Sequence, residues 1–421
     1  MKYVIIGNSA AGIKCAETIR ENDNSGEIVI LTDEIYPAYS RCLLPDYLAG
    51  ELDENSLAIR ELDFYRKNNI TVQYGVKATK IKPESKEIVL DNAQIVSFDK
   101  LLIATGSRSL MPPIPGLDGE NIFGFRTLQD VKHILHVLPT VRRAVIIGGG
   151  FVGLEAAYAI YGKGIEVTVV ERLSQILPSQ FDGKAAQILH RDMQQEGIRI
   201  ITGNGIKEIL NPTLWQKLFG KKGKGVLLDN GETLQCELII VAAGTKPNTE
   251  VTQGTAIKVA RGIIVDEYME TAEKDIYAAG DVVETVDAVT GKRQLSPIWP
   301  NAVVQGRIAG LNMAGVTTPY TALIGMQNAV EFREVPAMAA GITEPETNDE
   351  VIVVEKERQN KYKKFVIRDG KLIGMILVGD IRQAGVYNAL IKNRIDISRT
   401  KEYLSRDDFN FGYFLASGVY C

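Results

Sequence analysis

Short runs rich in Val and Ile alternate along this chain with segments whose apolar residues recur every three or four positions, the pattern of βαβ units around a parallel sheet. The first unit reads as a strand at Tyr3–Ile6, a glycine-rich turn from Gly7 to Gly12, a helix to about Arg20 and a second strand at Ile28–Leu31. The same order returns about 140 residues later: a strand at Val145–Ile147, a turn from Gly148 to Gly153, a helix at Leu154–Tyr161 and a strand at Glu166–Val170. Between the two, Leu110 to Gly119 (LMPPIPGLDG) is rich in Pro and Gly and reads as a linker. Thr202 to Val241 alternates like an antiparallel ribbon, with a hairpin turn at Asn230-Gly231, where both residues tolerate φ > 0. Beyond Thr317 strands dominate, at Val351–Val354, Lys364–Ile367 and Leu372–Val378, followed by a helix at Gln383–Lys392, which predicts a third, α+β domain. The fold class is therefore α/β, with two Rossmann-like nucleotide-binding domains and a C-terminal α+β domain.

Composition narrows the class. The 421 residues provide for two to three domains and a sizeable core. With 45% apolar and 24% charged residues, the profile is that of a folded globular protein. Lys and Arg number 48 against 52 Asp and Glu, so neither nucleic acid nor a membrane is an expected partner. Cys15, Cys42, Cys236 and Cys421 show no C-x-x-C spacing, which argues against a disulfide framework or a zinc site and points to a cytoplasmic, reducing setting. His133, His136 and His190 have no neighbouring cysteines, and no metal is expected. The N-terminus lacks the charged, apolar and small-residue succession of a leader. The most membrane-like stretch, Ala144 to Gly162, is broken by four glycines and Glu155, so a strand, turn and helix explains it better than a span.

The chemistry sits on the two turns. Gly7-Asn8-Ser9-Ala10-Ala11-Gly12 departs from G-x-G-x-x-G only at Ser9, a residue small enough for a pyrophosphate to approach the backbone and the helix N-terminus. Asp33 and Glu34 follow the second strand, where a carboxylate can accept hydrogen bonds from ribose hydroxyls. Gly148-Gly149-Gly150-Phe151-Val152-Gly153 is complete, and Glu171 ends its second strand. A carboxylate there accepts from an unmodified ribose and repels a 2′-phosphate, which predicts NADH over NADPH, a preference softened by Arg172. Two dinucleotide sites in one chain suggest hydride transfer from a nicotinamide to a flavin.

Further segments carry a family resemblance. Lys100 to Ser107 (KLLIATGS), Thr271 to Asp281 (TAEKDIYAAGD), Leu238 to Thr249 (LIIVAAGTKPNT) and Glu331 to Glu346 (EFREVPAMAAGITEPE) resemble, in order, the conserved segments of the pyridine nucleotide-disulfide oxidoreductase family. The resemblance implies an FAD domain in two pieces, 1–111 and 246–317, an NAD domain at 112–245, and a C-terminal interface domain at 318–421 that forms a homodimer in many relatives. It implies that Gly7, Ser9, Ala10, Ala11, Gly12, Asp33, Glu34, Arg41, Cys42, Ala78, Thr105, Gly106, Arg126, Gly280, Asp281 and Ala302 line FAD. By the same resemblance Gly148, Gly150, Phe151, Val152, Gly153, Glu171 and Gly244 line NAD(H). Phe151 stands where relatives carry an aromatic gate for the nicotinamide, and Glu155 where they place a glutamate near the flavin. Trp299-Pro300-Asn301-Ala302 stands where a helix start covers the flavin's pyrimidine edge.

The family divides by electron acceptor, and Ala38 to Leu48 (AYSRCLLPDYL) resembles two branches. Cys42 and Pro45 are similar to the single-cysteine branch of coenzyme A-disulfide reductases, NADH oxidases and NADH peroxidases. Tyr39, Arg41 and Leu44, with Gly374 to Asp380 and Ile395 to Ser398, are similar to rubredoxin and ferredoxin reductases and the flavin module of assimilatory nitrite reductases. Cys42 reads either as a redox thiol favoured by Arg41 or as an apolar-flanked filler. Tyr47 occupies the place of a second cysteine, which disfavours dithiol chemistry, and Ala10 that of the histidine acid/base of the peroxidases, which disfavours peroxide and oxygen reduction. Asp46 departs from a lysine frequent in the rubredoxin-type branch. The leading expectation is an FAD enzyme passing electrons between NADH and a small iron–sulfur carrier. Its alternatives are a Cys42-dependent reductase of coenzyme A disulfide, persulfide or polysulfide, an NADH oxidase, or an NADH-binding flavoprotein sensor with little turnover. The basic stretch Lys217 to Lys224 reads as a solvated hairpin tip or an attractor of an acidic carrier, and Cys421 as a terminal thiol in solvent.

Overall fold

The strand Lys2–Ile6 (KYVII) forms because β-branched and aromatic residues suit a pleated surface, and Val4 and Ile5 are fully buried. In the computed structural model, which describes residues 1–61, 63–212, 223–332 and 335–416, this strand is the centre of a five-stranded parallel sheet. It pairs with Glu27–Leu31 on one side and Lys100–Ile103 on the other, and Ile70–Gln73 and Ile276–Ala278 close the edges. This sheet belongs to the first of two compact units, built from Met1–Leu43, Asp53–Arg108 and Lys246–Gly325. Helix Ala10–Asn22 packs against helix Trp299–Met313 with unusually little between them. The reason is Gly306 and Gly310: a Cβ on Gly306 would overlap the Ala11 carbonyl, and one on Gly310 would lie 2.8 Å from the Cys15 carbonyl oxygen. A three-stranded antiparallel ribbon, Ala78–Lys82, Glu87–Leu90 and Ile95–Ser97, completes the part of this unit that precedes Arg108.

The second unit comprises Leu44–Leu52, Ser109–Thr245 and the chain from Met326 onward. Its parallel sheet repeats the first: Arg143–Ile147 lies between Glu166–Val170 and Leu238–Val241, flanked by Arg199–Ile201 and Ile122–Gly124. Leu238–Val241 is a correction to the expected ribbon. All four of its residues are fully buried, and a continuous apolar run suits a parallel strand covered on both faces, whereas the alternating segments remain antiparallel as Ile206–Leu210, Lys224–Leu228 and Thr233–Cys236. At the hairpin only Gly231 takes a positive φ, +89°. The later strands form an antiparallel five-stranded sheet in the order Gln327–Phe332, Val335–Gly341, Lys371–Val378, Lys361–Arg368 and Glu350–Lys356, followed by helix Ala384–Asn393. The short helix Leu44–Ala49 packs in this unit against helix Phe151–Tyr161 and helix Leu128–Val137. Among the described residues no helix is long and apolar enough to cross a membrane.

Candidate functional site

The two glycine turns share one geometry. Gly7 and Gly148 close their strands at φ +117° and +112°, a region that L side chains disfavour. A Cβ on Gly7 would overlap the Ala104 carbonyl, and one on Gly148 the Ala242 carbonyl. The third positions are equally tight, because Cβ atoms on Gly12 and Gly153 would overlap the carbonyl oxygens of Gly7 and Gly148. The middle position differs: a Cβ on Gly150 would meet no protein atom within 4 Å, and Ser9 occupies the matching place in the first turn. The backbone thus needs the outer glycines, while the middle position is sterically open, as a close-approaching pyrophosphate requires.

The helix starts support the same conclusion. Helix Leu128–Val137 is capped by Thr127 and Asp130 reciprocally, and helix Gly183–Glu196 by Asp182, which accepts from the Ala185 N–H at 3.0 Å. Helices Ala10–Asn22 and Phe151–Tyr161, which follow the glycine turns, have no side-chain cap and no acidic residue in the first turn. Their N–H groups and positive dipole ends are left for an anion. Beside the first turn, Tyr65 donates to Asn8 Oδ1 at 3.0 Å, and the buried Asn8 Nδ2 finds no acceptor among the described residues. An orphan donor, two uncapped helix ends and a clear cradle match phosphate-rich dinucleotides.

Each unit places a carboxylate at the end of the next strand. Glu34 accepts from the Tyr39 hydroxyl at 2.6 Å and is paired with the Arg41 guanidinium, which lies 5.5 Å from the centroid of the Tyr39 ring. Asp33 points outward and is exposed. Glu171 accepts from the Gly149 and Leu173 N–H groups at 2.7 and 2.8 Å, one on each oxygen, so the strand end is bound to the turn and lone pairs remain for ribose hydroxyls. Gly280, at φ +87°, lies between Ala11 and Ala302, and Asp281 accepts from the Ser107 hydroxyl at 3.1 Å. Thr105 and Gly106 follow the strand Lys100–Ile103, whereas Ala78 opens its ribbon half-buried. Arg126 and Gly244 stand in the second unit, where the Arg126 N–H donates to Asp130 at 3.0 Å.

Three side chains that the sequence did not single out hold these segments. Asn248 clasps the strand end, its side-chain amide donating to the Thr105 carbonyl at 3.0 Å while its backbone carbonyl accepts from the Thr105 hydroxyl at 2.7 Å. Gln305 accepts from the Gly280 N–H at 2.8 Å. Asn8 is described above. Gln305 is one of three buried amides on its helix, with Asn301 and Asn312, and nothing in the sequence sets it apart from them.

Phe151 opens its helix with its ring 6.0 Å from that of Phe181, and Val152 beside it is 42% exposed. Glu155, four residues on, shares the face of Phe151. Burial pushes its carboxyl up to about 7, and Asp46, on the helix packed against it, adds to the effect. Cys42 lies in the first unit with an exposed side chain. Residues 217–222 of the basic stretch, and Cys421, lie outside the described residues; Lys224 is not at a solvated tip but opens a strand, 3% exposed.

Residues 1–306 match the model of the pyridine nucleotide-disulphide oxidoreductase family, and residues 330–395 that of the rubredoxin NAD+ reductase C-terminal domain. The chain is 32% identical to the assimilatory nitrate reductase electron transfer subunit of Bacillus subtilis over 96% of its own length and 51% of that protein's. It spans about half the length of both this relative and the nitrite reductase [NAD(P)H] of the same organism, 48% in the second case. It is 28% identical to the NADH-rubredoxin oxidoreductase of Clostridium acetobutylicum, covering 97% of each chain. The structure of an NAD-dependent persulfide reductase from A. fulgidus is similar, with a TM-score of 0.87 and 28% identity over 97% of this chain and 79% of that one. Doubled glycine turns with uncapped helices, a carboxylate beyond each, and a family match over residues 1–306 agree: the chain belongs to the pyridine nucleotide-disulphide oxidoreductase family, whose members bind FAD and NAD(H).

Proposed function

We propose that the chain is an FAD-dependent NADH oxidoreductase that delivers electrons to a small iron–sulfur protein. The observation that carries the reading is the pair of uncapped, glycine-cradled helix ends, one in each unit, combined with a C-terminal segment similar to that of rubredoxin reductases. In this reading the first turn, Glu34 with Arg41, and Asp281 hold FAD, and the second turn with Glu171 holds NADH. A bound flavin supplies the adaptor chemistry, since nicotinamide exchanges two electrons and an iron–sulfur centre one. Glu171 favours an unmodified ribose, because a 2′-phosphate would bring like charge against a buried carboxylate. Phe151 and Glu155 line the helix face next to the nucleotide turn, the first as an apolar wall and the second as a proton-bearing group.

A second reading rests on Cys42, whose exposure beside Arg41 suits a thiol that attacks persulfides or disulfides. Anaerobic titration of the FAD-loaded protein with NADH separates the two. The iron–sulfur reading expects one equivalent to bleach the flavin with no earlier phase, and the product to reduce an added rubredoxin. A long-wavelength charge-transfer band, with a second equivalent needed for bleaching, would replace it with the thiol reading.

A further inference from the structure

The second glycine turn is bonded to a strap, residues 172–182, whose far end is tied to the C-terminal sheet. We propose that Lys364 and Tyr362 of that sheet are positioning residues for NADH: through Asp182 they hold the strap in place, and the strap holds the turn. This rests on the reading that the second turn binds NADH, and every residue involved belongs to the second unit.

The near end of the strap meets the turn directly. The Gly149 carbonyl accepts from the Leu177 N–H at 2.8 Å. A Cβ on Gly149 would lie 3.2 Å from Ile176 Cγ2, so the Ile176 side chain rests against the turn. Phe181, buried, sets its ring edge-on to that of Phe151, the first helical residue after the turn, with the centroids 6.0 Å apart. Between these contacts the strap has no helix or strand, and its shape comes from its own bonds. The Gln175 side-chain amide donates to the Phe181 carbonyl at 2.7 Å, and the Phe181 N–H to the Leu177 carbonyl at 3.1 Å. Leu177 takes φ +50°, a left-handed conformation that a leucine keeps only while its surroundings enforce it.

The far end is Asp182. One of its carboxylate oxygens accepts from the Ala185 N–H at 3.0 Å and caps helix Gly183–Glu196; the other accepts from the Tyr362 hydroxyl at 2.7 Å and lies 3.0 Å from Lys364 Nζ. Tyr362 and Lys364 stand two residues apart on the strand Lys361–Arg368 and so share a face of the sheet. Both are buried, and an ammonium is tolerated there because Asp182 neutralises it. Capping the helix needs one oxygen, and the other ties the strap to the sheet. Releasing that tie frees Phe181 and lets Leu177 leave its strained conformation, which breaks its bond to Gly149 and displaces the turn.

The test follows anaerobic flavin reduction in the FAD-loaded protein over a range of NADH concentrations, which separates the NADH dissociation constant from the limiting rate. Hydrogen exchange of the amides in 172–182, without NADH, reads the strap itself. Lys364→Met is expected to raise the dissociation constant and to speed the exchange about tenfold each, with the limiting rate within about twofold of native. Tyr362→Phe, which removes one hydrogen bond, should raise the constant about threefold. Asp182→Asn keeps a good helix cap but loses the charge that holds Lys364; it should match Lys364→Met, and the double variant should be no worse than either. Lys184→Met removes an ion pair of 2.5 Å with Glu355 that joins the same helix to the same sheet outside the strap, and should change neither readout. Bound FAD, read from its absorbance, should be equal in all variants. A dissociation constant that stays native in Lys364→Met and Asp182→Asn, or rises equally in Lys184→Met, overturns the proposal and leaves the NADH reading intact. If Lys364→Met does not fold, Tyr362→Phe decides by the same criterion. If NADH fails to reduce the flavin of the native protein, the NADH reading falls and the proposal with it.

Discussion

Gly148 and Gly150 lie two residues apart in one turn and answer to different demands. The first is held by the protein, with a positive φ and the Ala242 carbonyl against it; the second faces open space. Gly148→Ala is expected to destabilise the fold by about 3 kcal/mol, measured by urea unfolding of the nucleotide-free protein. Gly150→Ala should leave that unfolding curve in place and weaken NADH binding roughly tenfold or more, measured by calorimetry, because its Cβ projects where the pyrophosphate approaches. Equal effects of the two substitutions would remove the distinction. At this scale the sequence was readable wherever spacing carries the meaning, as in both glycine turns and in Glu34 and Glu171. It was not readable where the partner is distant along the chain: Asp46 registered only as a departure from a lysine, and its action on Glu155 depends on two helices packing together.

Four helices of the nucleotide-binding parts, Ala10–Asn22, Leu128–Val137, Phe151–Tyr161 and Gly183–Glu196, fall into two kinds at their N-termini. Thr127 and Asp182 cap their helices, so Thr127→Ala should cost about 1 kcal/mol of stability in the nucleotide-free protein. Ser9 makes no cap bond, and Ser9→Ala should cost nothing measurable there, its effect being confined to FAD binding. Thermal unfolding of FAD-stripped samples checks both, and a loss at Ser9 equal to that at Thr127 would count against an anion-directed helix end. Elements were largely legible because period and β-branching report burial, as for Glu166–Val170, found where it was expected. Leu238–Val241 reads two ways, as the end of the ribbon by alternation and as the strand closing the NAD-binding domain by resemblance, and its full burial in the parallel sheet agrees with the second. The spacing of Gly306 and Gly310 could not name the helix they admit.

On the scale of the whole molecule, the two units are expected to respond to different ligands. FAD present at a hundredfold its dissociation constant should stabilise the first unit by about 2.7 kcal/mol, and NADH under the same condition the second. Hydrogen exchange can locate the gains: added FAD should slow the amides of Lys2–Ile6 and Ile276–Ala278, and NADH those of Arg143–Ile147. Slowing of both sets to the same extent by either ligand alone would count against one site per unit. Charge and composition fixed none of this; the repeated turn did, because it is the feature that both units share.

The first unit's sheet is finished by a strand made late. Ile276–Ala278 pairs with Lys100–Ile103, and helix Trp299–Met313 covers helix Ala10–Asn22, yet the whole of Ser109–Thr245 is made in between. On a ribosome adding roughly 5–20 residues per second, the early strands wait on the order of ten to thirty seconds with an open edge and an uncovered apolar helix. The inserted segment can complete its own parallel sheet during that interval, so the nucleotide-binding half encoded second is the half that can mature first, and the newborn chain depends on chaperones most while its earliest residues are still waiting.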